Sequence, residues 1–211
     1  MIKVDLFQQA INQVPTWQRV SELAELTKIF DPGLQICAWQ REIDPAIGLY
    51  LSELHEKNEI QTIEVLTTDS PPKLECLPKK PGRAQLIDDI VFLNTVLSDL
   101  LGCQEVGIRF ARVGHAMCPG WHFDQVGIRL ICTYQGMGTQ WLGDQNIDRK
   151  DLNSKQTAKV TEIQASPGEM VLLKGSLWQG NETFGAVHRS PELGHSAAMR
   201  TLVTLDPLWR D

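Results

Sequence analysis

The second half of the chain consists of short strand patterns separated by glycine and proline turns, and this pattern constrains the fold more than any other feature. About eight strands within roughly a hundred residues predict a jelly roll, also called a double-stranded β-helix. The predicted strands cover residues 106–112, 121–124, 127–134, 139–142, 157–164, 170–174, 186–188 and 200–205.

The first half has a more helical pattern. Apolar residues recur at helical spacing before Pro15, so residues 4–30 are predicted to form two helices, the second capped by Thr16. A helix is also predicted for residues 45–57, with Pro45 in its first turn, and short strands for residues 34–39 and 60–67. Residues 70–82 contain four prolines and are predicted to be a loop.

The clearest helix is predicted for residues 83–100, where Leu86, Ile90, Leu93 and Leu97 form one apolar stripe and Gly102 follows. Helices first and strands second predict an α+β fold. In this prediction, residues 1–103 form a helical and α/β buttress that packs on a double-stranded β-helix domain, residues 104–211, in one compact unit.

Composition excludes several classes of protein. A net charge of -6 argues against general affinity for nucleic acids or acidic membranes. No apolar run approaches the ~18 residues that span a bilayer, and the N-terminus lacks the pattern of a signal peptide. The five cysteines include no Cys-x-x-Cys pair, which favours reduced thiols. We therefore expect a cytoplasmic protein.

A His-x-Asp motif, His122 and Asp124, follows a Pro-Gly turn. On a strand the two side chains would leave the same face. A second histidine from a distant strand would complete a set of two histidines and one carboxylate, which holds a divalent metal and suits non-heme iron(II) chemistry. Residues 126, 128, 130 and 132 alternate with the same spacing and are apolar, so this face is expected to line the barrel interior.

Several segments together resemble the iron(II)/2-oxoglutarate-dependent dioxygenases. They are Trp121-His122-Phe123-Asp124, the run from Ser166 to Gly175 that begins Ser-Pro-Gly-Glu, His188-Arg189-Ser190-Pro191, and Arg200. The likeness covers residues 106–207. The whole chain is also similar to an uncharacterised bacterial family of unknown function, which brings no established substrate.

The resemblance implies a role for each matching residue. His122, Asp124 and His188 would bind Fe(II), and Arg200 would bind the distal carboxylate of 2-oxoglutarate. His195 is the rival third ligand, but it lies only five residues before Arg200. Tyr134 has the spacing of the inward face and is a candidate for a hydrogen bond to the co-substrate.

Three other interpretations stay open. One is a cupin-like, non-catalytic barrel that binds zinc or another divalent metal. Another is a zinc site of which His115, Cys118 and His122 resemble one part. The third is a structural interaction domain in which the histidines are coincidental. The substrate, a small molecule or a protein, and the oligomeric state are not readable from the residues.

Overall fold

The computed structural model describes residues 15–54, 59–67, 70–143, 147–152, 159–182, 184–193 and 199–209. In these residues the chain has a mixed α/β fold with one large sheet, one small sheet and few helices. The strands are β1 Trp17–Val20, β2 Ile36–Trp39, β3 Ile60–Thr67, β4 Glu105–Val113, β5 Ile128–Gln135, β6 Gln140–Leu142, β7 Glu162–Gln164, β8 Met170–Lys174, β9 His188–Arg189 and β10 Arg200–Leu208. The helices are a 3₁₀ helix Leu23–Phe30, α1 Pro45–Ser52 and α2 Arg83–Leu101.

The large sheet combines strands from both halves of the sequence. Its seven strands have the order β1-β2-β8-β5-β10-β4-β3, and the three-stranded sheet has the order β7-β6-β9. All pairs are antiparallel except β1 with β2, which run parallel. β10 therefore lies between β4 and β5, although it is the last described strand in the sequence.

One face of the large sheet packs against the helices. The predicted stripe of α2 is buried, with Leu86, Ile90, Leu93 and Leu97 all in the same apolar cluster as the sheet. Gly102 ends the helix in the left-handed conformation at φ 68°, as its position predicted. Pro45 begins α1, a position where proline removes no hydrogen bond because the N–H of the first helical residue has no partner within the helix.

The other face of the large sheet packs against the small sheet. A second apolar cluster joins Ala111, Ile131 and Leu202 of the large sheet to the fully buried Trp141 of β6. The face of β5 that looks toward the small sheet therefore carries residues 129, 131 and 133. The opposite face, with residues 128, 130, 132 and 134, packs against the helices. The sequence-based prediction that this second set lines the interior was wrong.

The predicted helix from Thr16 to residue 30 is only partly formed. Residues 17–20 form β1 instead, because their backbone pairs with β2 and Thr16 accepts hydrogen bonds from the N–H groups of Gln35 and Ile36. Leu23–Phe30 is a 3₁₀ helix that buries Leu26 and Ile29. The helix predicted for residues 4–14 lies outside the described residues, as does the end of the helix predicted for residues 45–57.

Two predicted strands are shorter than expected. Residues 121–124 form a single bridge at His122 rather than a strand, because the backbone of the following residues turns to bond residues 175–177. β7 begins at Glu162, and the described residues 159–161 before it are not in a strand. The strands predicted at 60–67, 170–174 and 200–205 are confirmed.

The described helices and the cysteines agree with the expectations from composition. Among the described helices, none has the length and apolar character required to cross a membrane. All five cysteines are free thiols.

The apolar stripe of α2 gives a stability prediction. Ile90 is fully buried, so Ile90→Ala should lower the free energy of unfolding by about 2–5 kcal/mol through lost burial and a residual cavity. Asp88→Ala, on the exposed side of the same helix, is the control and should change it by less than about 0.5 kcal/mol. Urea denaturation measures both, and equal losses would show that this stripe does not hold α2 to the sheet.

Candidate metal centre

The backbone brings the two distant histidines together. The N–H of His122 donates to the carbonyl of His188 at 3.1 Å, and the N–H of His188 donates back at 2.9 Å. This bridge holds the Pro-Gly loop against β9. The imidazole rings consequently lie side by side, with their centroids 4.5 Å apart.

A second set of backbone bonds holds the segment that carries Asp124. The Asp124 carbonyl accepts the N–H of Ser176 at 2.9 Å, and the N–H of Gly175 donates to Gly127 at 2.9 Å. Only a glycine allows this approach, because a Cβ on residue 175 would lie 2.2 Å from the carbonyl oxygen of Val126. Asp124 is therefore fixed by the turn that follows β8.

Hydrogen bonds orient both imidazoles. His122 Nδ1 lies 2.9 Å from the Gly120 carbonyl oxygen, and His188 Nδ1 lies 3.0 Å from the Ala186 carbonyl oxygen. Because a carbonyl oxygen only accepts, each Nδ1 carries the proton, and each Nε2 keeps its lone pair in the neutral ring. This is the arrangement that backbone partners give to metal-binding histidines.

Both Nε2 atoms point toward the Asp124 carboxylate. His188 Nε2 lies 3.4 Å from Oδ2, and His122 Nε2 lies 3.8 Å from Oδ1. A ligand atom from each of the three residues lies within 4.8 Å of the other two. No other group of three such residues in the part of the chain that the structure describes meets this criterion.

The protonation of the group suits a cation. Burial and the neighbouring His188 lower the pKa of His122, which favours the neutral imidazole. Burial raises the pKa of Asp124, but the hydrogen bond and charge of His188 and the charge of Arg129 outweigh it, and the pKa falls to about 2. Asp124 is therefore a carboxylate at neutral pH, and the environment of His122 favours its neutral imidazole.

Arg129 is a part of the site that the sequence analysis missed. Its NH1 atom donates to Asp124 Oδ2 at 2.8 Å, while Nε and NH2 each donate to one oxygen of Asp206 at 2.7 Å. Arg129 alternates with residues 128 and 130, which were predicted to line the interior, so that prediction placed Arg129 on the opposite face. A single charged residue in a buried strand, with Asp206 on a later strand, was the available signal.

His122 and His188 line a cavity of about 80 Å³ between the two sheets, and the Asp124 carboxylate lies against both of them. Arg200 lies in its wall and is 1% exposed. Its guanidinium donates to the Met137 carbonyl at 2.9 Å and to the hydroxyls of Thr139 and Ser190 at 2.8 and 3.2 Å. Burial lowers the pKa of Arg200 to about 10, so it stays charged at neutral pH, and no carboxylate of the described residues pairs with it.

Tyr134 does not reach this cavity. It lies on the face of β5 that packs against the helices, and its hydroxyl donates to Asp89 Oδ2 at 2.7 Å. Asp89 also pairs with Arg41, at 2.6 Å. The sequence-based expectation that Tyr134 faces the co-substrate was therefore wrong, because the assignment of the two faces of β5 was reversed.

The two remaining histidine alternatives have different outcomes. His195 lies outside the described residues. His115 Nδ1 is 2.9 Å from Glu59 Oε1, and His115 and Cys118 form no metal-binding group with His122 among the described residues. The partial zinc site suggested by their spacing is not formed.

The chain matches one known protein family over most of its length. Residues 21–206 match the model of one family, described as "Protein of unknown function (DUF1826)". The chain belongs to the DUF1826 family. No curated protein is significantly similar in sequence to this DUF1826 chain.

Solved structures show the fold that this DUF1826 protein shares. It is similar to the dioxygenase for auxin oxidation 1 from Arabidopsis thaliana, solved with 2-oxoglutarate, with a TM-score of 0.53, 9% identity and 92% of each chain covered. It is also similar to a protein described as "Putative oxygenase from Shewanella oneidensis", with a TM-score of 0.53, 12% identity and coverage of 90% and 88%. The predicted resemblance to iron(II)/2-oxoglutarate oxygenases and to an uncharacterised family is confirmed, and at these identities the likeness concerns the fold.

The lowered pKa of Asp124 predicts a stability change in acid. A carboxyl group whose pKa is about 2 when folded and ordinarily 3.8 stabilises the folded protein above about pH 4, and this contribution is lost as the pH falls toward 2. The difference in unfolding free energy between the metal-free protein and Asp124→Asn should therefore shrink by an amount on the order of 2 kcal/mol.

Chemical denaturation at several pH values from about 6 down to about 2.5, which covers most of the window between the two pKa values, measures this difference. Asp88→Asn is the control for loss of an exposed carboxylate. A difference that stays constant over this range would contradict the charge environment described for Asp124.

Proposed function

We propose that this protein is an Fe(II)- and 2-oxoglutarate-dependent oxygenase that hydroxylates its substrate. The observation that carries the proposal is one cavity lined both by the two histidines of the His122–Asp124–His188 group and by the buried guanidinium of Arg200. The first is a cation site and the second an anion site. A metal together with a dicarboxylate satisfies both.

The three-residue group fits iron(II). Two imidazole nitrogens and one carboxylate oxygen, with open positions on the remaining side, are the ligand set of non-heme Fe(II) oxygenases. The Nδ1 hydrogen bonds to Gly120 and Ala186 fix the tautomers that binding requires. Arg129 holds one oxygen of Asp124, which favours a single bond from that carboxylate to the metal.

Arg200 fits the far carboxylate of 2-oxoglutarate. A planar guanidinium binds a carboxylate through two parallel hydrogen bonds. A buried charge without a partner is costly, and no carboxylate of the described residues lies within 4.0 Å of this one. The hydroxyls of Thr139 and Ser190, which accept from Arg200, can donate their own hydrogens to the same carboxylate.

The chain's own residues would bind and orient the metal and the co-substrate, and they would exclude water from the cavity. Bound iron(II) and 2-oxoglutarate supply the oxidation of a C–H bond by dioxygen, coupled to the conversion of 2-oxoglutarate to succinate and carbon dioxide. Ala111, Ile131 and Leu202 form the apolar part of the cavity wall on the large sheet, and this part limits the entry of water. Arg200 would set the direction of the co-substrate and Arg129 the direction of Asp124.

The finer description of the fold belongs to the same proposal. We propose that the two facing sheets are a double-stranded β-helix into which strands of the first half are added. Residues 1–103 and 104–211 would then form one compact unit, which is supported by the pairing of β2 with β8 and of β3 with β4.

An anaerobic titration of metal-free protein tests the proposal. Iron(II) followed by 2-oxoglutarate should produce a visible charge-transfer absorption band that requires both components. Metal binding without the band would instead support a non-catalytic protein for zinc or another divalent metal, and absence of metal binding would exclude the site.

Substitution of the ligands gives the matched experiment. His122→Ala, Asp124→Ala and His188→Ala should each abolish the band and weaken iron(II) binding by at least about tenfold, because each removes one of three bonds to the metal. His115→Ala, a histidine outside the group, is the control and should leave both unchanged. Full turnover of 2-oxoglutarate in a ligand variant would refute the assignment.

Arg200→Gln should separate the two functions of the cavity. Loss of a charge-assisted pair should raise the Kd for 2-oxoglutarate by about tenfold or more, while the Kd for iron(II) stays unchanged. Arg200→Lys keeps the charge without the planar fork and should give an intermediate value. An unchanged Kd for 2-oxoglutarate in folded Arg200→Gln, checked by circular dichroism, would refute the role.

A further inference from the structure

The cavity has a second guanidinium at its open end, far from Arg200. Arg109 on β4 pairs in register with Thr204, whereas Arg200 pairs with Val113. Four residues of extended strand separate the two positions, which corresponds to about 13 Å. Both arginines line the cavity, and Arg109 is exposed where Arg200 is buried.

Arg109 differs from the neighbouring arginines because its charge has no carboxylate partner among the described residues. Arg129 is bound by two carboxylates. Arg189 pairs with Glu162 at 3.0 Å and lies over the ring of Trp121. Within the part of the chain that the structure describes, no carboxylate lies within 4.0 Å of the Arg109 guanidinium.

An apolar surface continues the same face of the large sheet beyond Arg109. Ile63 is directly opposite Arg109 on β3, and Val65 is opposite Gly107, so both side chains leave the face that carries Arg109. They are 69% and 59% exposed. Leu208 extends over Gly107, because a Cβ added to Gly107 would lie 3.7 Å from the methyl groups of Leu208. Ile63, Val65 and Leu208 form an apolar platform next to the Arg109 cation.

We infer that the substrate of this protein is a small organic carboxylate with an apolar body. Its carboxylate binds Arg109, its apolar body lies on the platform of Ile63, Val65 and Leu208, and its reacting carbon reaches into the cavity toward His122 and His188. One guanidinium balances one negative charge, and its planar fork matches a carboxylate. This inference rests on the proposed function, and Arg109 is a specificity-determining residue in it.

The test uses two pairs of probes that differ only in charge: hexanoate against hexanamide, and 4-phenylbutanoate against its primary amide. Titration calorimetry on metal-free full-length protein measures their Kd values. Each carboxylate should bind about fivefold tighter than its amide, as expected for an ion pair at a partly open site. Arg109→Gln should remove this preference and Arg109→Lys should keep part of it. Lys80→Gln, which removes one exposed charge from the loop before α2, should retain the full preference.

Ile63→Ser tests the platform. It should weaken the acid and the amide of each pair by a similar factor of about three, because the lost apolar contact is common to both. A preference for carboxylates that survives Arg109→Gln would overturn the inference. It would equally be overturned if Ile63→Ser left both Kd values unchanged but altered the sedimentation coefficient of the free protein, since the platform would then be a contact between copies.

The two proposals fail in different ways. If the iron(II) and 2-oxoglutarate band forms, but the Arg109→Gln variant binds every probe as tightly as the unsubstituted protein does, the substrate class alone is overturned. If the band does not form, the oxygenase proposal is overturned whatever the probes show, and the substrate role of Arg109 is overturned with it.

Discussion

The two hydrogen bonds that His122 and His188 exchange through their backbones are the constraint on which the site depends. They join a loop near the middle of the sequence to β9, which is itself paired with β6. Because the backbone sets the position of both residues, and carbonyl groups of Gly120 and Ala186 set the ring orientation, the two Nε2 atoms converge without a metal to draw them together. The entropy of ordering these side chains is thus lost during folding rather than on binding.

The arginines around the cavity differ in how many carboxylate partners they have. Arg129 has two carboxylate partners, whereas Arg200 is held by uncharged groups and Arg109 by no carboxylate of the described residues. The uncharged partners of Arg200 satisfy its hydrogen bonds without neutralising it. The cavity therefore has two positively charged positions that can bind anions, whereas the carboxylate of Asp124 is available to bind a cation.

Local pattern in the sequence was enough to predict part of this structure. The apolar stripe of α2, its glycine end and the strands at β3, β8 and β10 follow from periodicity and turn residues. The features that were not predicted depend on partners distant in sequence: β1 exists because β2 lies beside it, and His122 lies in a bridge rather than a strand because residues 175–177 bind the residues that follow it. Both faces of β5 are buried, so alternation alone did not reveal which face meets the small sheet, and Tyr134 and Arg129 were assigned to the wrong faces for that reason.

The place of β10 in the middle of the large sheet has a consequence for how the protein is made. Strands β4 and β5 flank it but do not pair with each other, so the sheet is divided into two parts until this segment has left the ribosome. Contacts of long sequence separation of this kind slow folding and leave strand edges open in the meantime. Arg200 is the first residue of that strand, so the anion-binding end of the cavity is completed only after β10 has been made. Until then, the chain must keep two unfinished sheet edges apart from other chains.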